Sequence, residues 1–183
     1  MKKTARAPGP AADAGDPRPL DGGCACGALR YRLEREPMFV HCCHCTRCQR
    51  ETGGPFAHHA MIEFTAMTLL QGEPEFVKVP TDSGNVHWVA RCPGCRTAVW
   101  NEHGSRRAIT RYLRVGTLDD PARCPPQAHI FVRSRQPWLT LAPGLPAFRT
   151  YYDAAKVWPA DSLARYAAAK AAKAAAKPRG RAG

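Results

Sequence analysis

The stretch His41–Phe56, HCCHCTRCQRETGGPF, places four cysteines and two histidines in eight positions and then turns through Gly53, Gly54 and Pro55. Its reading decides the fold, because a disulfide knot, a reactive thiol cluster and a metal site each imply a different chain around it. The rest of the sequence separates them. The first residues, MKKTARAPGP, carry charge like the start of a secretory signal, but no hydrophobic segment follows. No apolar run approaches the roughly 18 residues of a membrane span. We therefore expect a cytoplasmic protein, where thiols stay reduced. An odd number of cysteines, nine, in such a compartment points to metal ligation rather than to bridges.

Cysteine spacing carries the same message along the chain. Cys24 and Cys26 form a C-x-C, Cys43, Cys45 and Cys48 a C-x-C-x-x-C, and Cys92 and Cys95 a C-x-x-C within RCPGCR. Tight turns that bring two or three thiolates together are what tetrahedral zinc requires, the remaining ligands arriving from another loop. Seven thiols divide into four that close one tetrahedron and three that leave a second with an open position. Structural zinc sites are closed and catalytic ones keep an open position, so the division itself suggests chemistry. Spacing does not say which cluster supplies the three.

A chain of 183 residues with 44% hydrophobic composition is long enough for one domain with a core. Its ends differ from its middle. Residues 1–19, rich in Pro, Ala and charge, read as a disordered arm. Residues 161–183, DSLARYAAAKAAKAAAKPRGRAG, form an Ala/Lys run of high helix propensity that Pro178 and Gly180 end, a basic low-complexity tail. Of the net +12, the tail supplies +5, residues 1–20 supply +2 and the middle +5. Between the ends, ALRYRLE alternates Leu29, Tyr31 and Leu33 with Arg30, Arg32 and Glu34, the period of a half-buried strand. EFVKVP, NVHWVARC, TAVWNE, YLRVGTL and AHIFVRS read as further strands, and CTRCQRETGG as a short helix stopped by paired glycines. The expectation is a mainly β domain over residues 20–160, built from several small antiparallel sheets joined by zinc knuckles.

GGCACGALRY, CHCTRCQRETGGPF, CPGC, GTLDDP and HIFVRSRQPW together resemble the glutathione-dependent formaldehyde-activating enzyme family, which includes the centromere protein V type domains. The resemblance implies small sheets in a tent-like arrangement. It also implies a structural zinc on Cys24, Cys26, Cys92 and Cys95 and a catalytic zinc on Cys43, Cys45 and Cys48. The activity it implies is a carbon–sulfur lyase type reaction that forms S-hydroxymethylglutathione from glutathione and formaldehyde. The chain departs from the family at Arg96, where C-x-x-C-G is usual. A non-glycine there is strained if the turn needs positive φ.

The chemistry of a three-thiolate site can be argued from charge. Three thiolates and a divalent zinc sum to −1, so a bound water is poorly activated, whereas a substrate thiol suits the open position. Arg47 and Arg50 beside the ligands are candidate anchors for glutathione's carboxylates, or else solvated surface arginines. His44 could shuttle a proton or close the site as a fourth ligand, and its plainer role is to orient the loop. His58 and His59 are expected in a strand or surface role. Cys42 should face away from the cluster and fill core, and Cys124 should be a loop thiol. Trp88, Trp100 and Trp138 read as core.

Two other classes compete. A zinc-stabilised binding module could contact nucleic acid weakly through the basic tail, neutralising phosphates without reading sequence. A purely structural domain would have its second zinc closed by His44 or another group. No spacing fixes the oligomeric state.

Overall fold

A computed structural model describes residues 19–81 and 84–176. Residues 1–18 of the expected N-terminal arm and the last residues of the tail, 177–183, lie outside the described residues. The described elements are β1 (Leu20–Gly23), β2 (Arg30–Leu33), β3 (Phe39–Cys43), α1 (Thr46–Thr52), β4 (Ala57–Glu63), β5 (Met67–Gln71) and β6 (Glu75–Pro80). They continue with β7 (Val86–Arg91), β8 (Ala98–His103), β9 (Thr110–Arg114), β10 (Ala128–Ile130), α2 (Ala154–Val157) and α3 (Ala160–Ala175). The chain is mainly β, as expected.

The strands gather into two sheets, one of three strands in the order β1-β2-β5 and one of seven in the order β10-β3-β4-β9-β8-β7-β6. All named pairs are antiparallel except β10 with β3. In β2 the alternation works as read: Tyr31 and Leu33 are fully buried while Arg32 forks onto Asp21 with two contacts of 2.7 Å. Close packing there requires Gly22, where a Cβ would collide with the Tyr31 hydroxyl and the Thr117 carbonyl.

Successive residues point to opposite faces of a strand, so the seven-stranded sheet serves two cores. Val40, Ala60, Leu113, Ala90 and Trp100 pack toward the three-stranded sheet with Leu29, Tyr31 and Leu33. The neighbours Phe39, Met61 and Tyr112 lie in a second cluster with Ile130, Tyr152 and Trp158. That second face carries Cys43 at the end of β3.

The expected strands EFVKVP and TAVWNE match β6 and β8 closely. YLRVGTL leaves the sheet after Arg114 for a 3-10 turn at Val115–Thr117. AHIFVRS stops at Ile130 because Phe131 takes φ 55°, a left-handed conformation incompatible with a strand, before the 3-10 turn Val132–Ser134. The Ala/Lys run forms α3, and its first half is docked. Leu163 and Tyr166 pack on the second core, and Arg165 Nε and Nη2 each reach a Glu63 carboxylate oxygen at 2.7 Å. No described helix is long and apolar enough to cross a membrane.

Candidate metal centres

Cys24 and Cys26 sit in the turn between β1 and β2, and Cys92 and Cys95 in the knuckle between β7 and β8. Their four Sγ atoms lie within 4.8 Å of one another. Cys24 and Cys26 are 3.5 Å apart and Cys26 and Cys92 3.8 Å. A tetrahedron of metal–sulfur bonds of about 2.3 Å has edges of about 3.8 Å, so the four thiols already have the spacing of a closed metal site. The Thr97 hydroxyl and N–H, with the Cys26 N–H, hold the Cys95 thiol down at about 5, toward the thiolate a metal needs. Arg96 does adopt the positive φ that its turn demands, 61°. Its N–H donates to Cys92 O at 2.9 Å, and its side chain pairs with Glu75. A left-handed L-residue costs about 1–2 kcal/mol, which the knuckle bears for the sake of ligand geometry.

The second cluster comes from one continuous segment. β3 ends at Cys43, Cys45 caps α1 by accepting the Cys48 N–H at 3.4 Å, and Cys48 lies in the helix's first turn. The three Sγ atoms converge within 4.8 Å, Cys43 and Cys45 at 3.5 Å. Thiol donors on Cys43 and Cys48 pull the Cys45 thiol down to about 2, while Cys43 is pushed far up, so the negative charge gathers on Cys45. Gly53, at φ 68°, ends α1 in the left-handed turn expected of the paired glycines and returns its N–H to Gln49 O. Gln49 braces the loop: its Nε2 donates to His44 O at 2.7 Å and Ser134 O at 2.8 Å, and its Oε1 accepts from Gln136 at 2.6 Å.

Beside these three sulfurs opens a cavity of about 640 Å³, a size that holds a small molecule. Arg47 lines it, and its Nε and Nη2 are buried with no hydrogen-bond partner among the described residues. Arg50 is exposed and does not line it. Arg106 and Arg133 add positive charge to the wall, and Arg106 Nη1 donates to the Tyr112 hydroxyl at 2.7 Å. Glu51, also on the wall, is engaged by Arg114, which in turn meets His59.

His44 is fully buried and turned away from the cluster. Its Nε2 lies 3.0 Å from His129 Nδ1 and its ring packs on Phe56, so it orients the loop rather than completing the thiol set. His58 and His59 lie in β4, and only His59 reaches the cavity. Cys42 is buried on the other face from Cys43, its thiol raised to about 12 by desolvation. Cys124 lies in a loop, as expected, and its thiol is buried in the first core at 2% exposure. Trp100 is core as expected, Trp88 is half-buried under Arg107, and Trp138 departs from the expectation with 69% exposure.

Sequence reasoning missed Gln49, Tyr112, Arg106, His87 and His103. The last two stood inside or beside strands already recognised, but a period-2 pattern does not tell which face meets a cavity.

The family model described as "Glutathione-dependent formaldehyde-activating enzyme" matches residues 19–134. A Halomonas elongata protein named "Putative glutathione-dependent formaldehyde-activating enzyme" is 23% identical over 130 residues, covering 67% of this chain and 80% of that protein. A solved Rhodobacter sphaeroides protein superposes with a TM-score of 0.43 at 16% identity, over 70% of this chain and 98% of that one.

Proposed function

From the premise that the chain belongs to the glutathione-dependent formaldehyde-activating enzyme family, we propose that it joins a small thiol such as glutathione to formaldehyde, and cleaves the product in reverse, as a carbon–sulfur lyase. The observation that carries the reading is the contrast between the two thiol clusters. One is closed by four sulfurs, and the other offers three that face a cavity of about 640 Å³.

In this reading both clusters hold zinc, one ion at Cys24, Cys26, Cys92 and Cys95 and one at Cys43, Cys45 and Cys48. At the second, zinc would take a thiolate in its fourth position and lower that thiol's pKa. The protein's own groups do the remaining work. Arg47 lines the cavity and has two guanidinium nitrogens, Nε and Nη2, without partners among the described residues, which a substrate carboxylate would satisfy through parallel hydrogen bonds. Arg106 and Arg133 extend positive charge along the wall toward a second carboxylate, which suits a thiol that carries two. Arg50, on the exposed face of α1, has no part in this recognition. Cys43, Cys45 and Cys48 set where the sulfur sits, and the wall limits the water that competes with it for the aldehyde carbon.

The test is metal content by mass spectrometry together with the rate of exchange between free and glutathione-bound formaldehyde by NMR. Two zinc ions per chain and accelerated exchange are expected. Cys45→Ser should lose one ion and the acceleration while staying folded, and Cys95→Ser should compromise folding. A wild-type protein with two ions and no acceleration would overturn the reading.

A further inference from the structure

Of the seven histidines, five have hydrogen-bonding roles inside the protein. His41 Nδ1 meets the Tyr152 hydroxyl at 3.0 Å, and His44 and His129 bond to each other. His59 meets Arg114, and His58 bonds the backbone at Cys124. His87 and His103 have no hydrogen-bond partner among the described residues, and both line the cavity that receives the three thiols. They are register partners on β7 and β8, with ring centroids 3.6 Å apart. Arg47 and Glu51 of α1, Cys45 at its cap and Arg114 of β9 act electrostatically on His87, and the first three share the cavity wall with it. His103 is faced by His87, Arg106, His41 and Arg47, and its ring lies 4.6 Å from that of Tyr112.

The addition of a thiol to formaldehyde moves one proton. The sulfur electron pair forms the C–S bond, the carbonyl π pair moves to oxygen, and the proton lost by sulfur ends on that oxygen. No oxidant or reductant is needed. A neutral imidazole is made for such a step, because one ring nitrogen accepts while the other donates. We propose that the facing imidazoles of His87 and His103 carry this proton, taking it from the substrate thiol and delivering it to the hydroxymethyl oxygen, and returning it in the reverse direction. The proposal rests on the reaction given under the proposed function.

The electrostatics are consistent with neutral rings. Burial lowers His103 to about 3, helped by His87 and Arg106, and burial followed by Arg47 lowers His87. Both are therefore uncharged near neutrality, with one acceptor nitrogen each. An anionic substrate that neutralises Arg47 would relax that depression and make His87 a better base once the site is filled.

The test uses the full-length, metal-loaded protein and the variants His87→Gln, His103→Gln and His103→Asn. Each should keep two metal ions and a glutathione KM within about twofold. The exchange rate should fall about 100-fold, the size typical of lost acid–base assistance, and added imidazole should restore part of it. Independently of activity, the imidazole ¹⁵N shifts of His87 and His103 should move when glutathione is added to the wild type, while those of His44 and His129 should not. Variants within threefold of the wild-type rate, or unmoved His87 and His103 shifts in an active wild type, would overturn the relay alone. An inactive wild type would overturn the parent reaction and the relay with it.

Discussion

Replacing Arg47 with Met should make the protein more stable and a worse glutathione binder at once. The guanidinium of Arg47 has two nitrogens, Nε and Nη2, buried without partners. An unsatisfied buried polar group costs about 1–3 kcal/mol, and the residue is half-buried as a whole, so removal of the charge should raise the free energy of unfolding by about 1 kcal/mol. Met keeps the length and apolar stem, so no cavity opens to offset the gain. With substrate present the sign reverses. Loss of a charge-assisted contact of about 1.5–3 kcal/mol should raise the KM for glutathione roughly 10- to 150-fold. Urea unfolding of the metal-loaded protein measures the first effect. Exchange NMR with glutathione and with 2-mercaptoethanol, which has no carboxylate, measures the second. Destabilisation by more than about 1 kcal/mol would mean that Arg47 is a structural cation. Equal KM changes for both thiols would mean that it does not read a carboxylate.

At the knuckle, Arg96→Gly should hold or raise the melting temperature and Arg96→Val should lower it, since φ 61° suits glycine and penalises a β-branched residue; the reverse order in a thermal melt would refute the strain argument. Folded-state pKa values of about 3 for His41 and His103 lie below the usual 6.5, so the unfolded chain binds protons first as pH falls. The stability these neutral imidazoles give is full above about pH 6.5 and is lost toward pH 3, and His103→Gln should remove up to one proton from the slope of unfolding free energy against pH. Deletion of residues 167–183 should leave exchange activity intact, because the docking groups Leu163, Arg165 and Tyr166 remain. Deletion from residue 160 should destabilise the domain by about 3 kcal/mol in denaturant titration, because it strips the nearly buried Glu63 of its main cation.

What the sequence made legible was whatever depends on local spacing. The C-x-C and C-x-x-C turns, the alternation of Tyr31 and Leu33, and the Gly53 stop to α1 are each set within a few residues, and each appears where the pattern put it. β3 and β4 went unread because they are buried on both faces: Phe39–Cys43 is buried throughout, so no polar alternation marks it. The cavity was illegible for a related reason. Its wall draws on β3, β4, β7, β8, β9, β10 and α1 as well as the loop after β10, and residues such as His87 and His103 meet only through the register of a seven-stranded sheet. The tail was half legible. Its helix follows from composition, but Arg165, which ties it to Glu63 from 102 residues away, looks like any other basic residue in an Ala/Lys run.

The two thiol clusters differ because of where their ligands come from. Cys24 and Cys26 leave the three-stranded sheet, Cys92 and Cys95 leave the seven-stranded one, and Cys24 and Cys92 are themselves part of the core between them. A metal there staples the two sheets, so its loss should be felt by the whole fold. Cys43, Cys45 and Cys48 belong to one strand–turn–helix segment whose position Gln49, Ser134 and the His44–His129 contact already secure without metal. With His44 held by His129, no histidine, aspartate or glutamate among the described residues joins the three thiols at ligand distance. His44 is instead spent on bracing the segment, so a metal held by the three thiols would have its fourth position open to whatever enters the cavity.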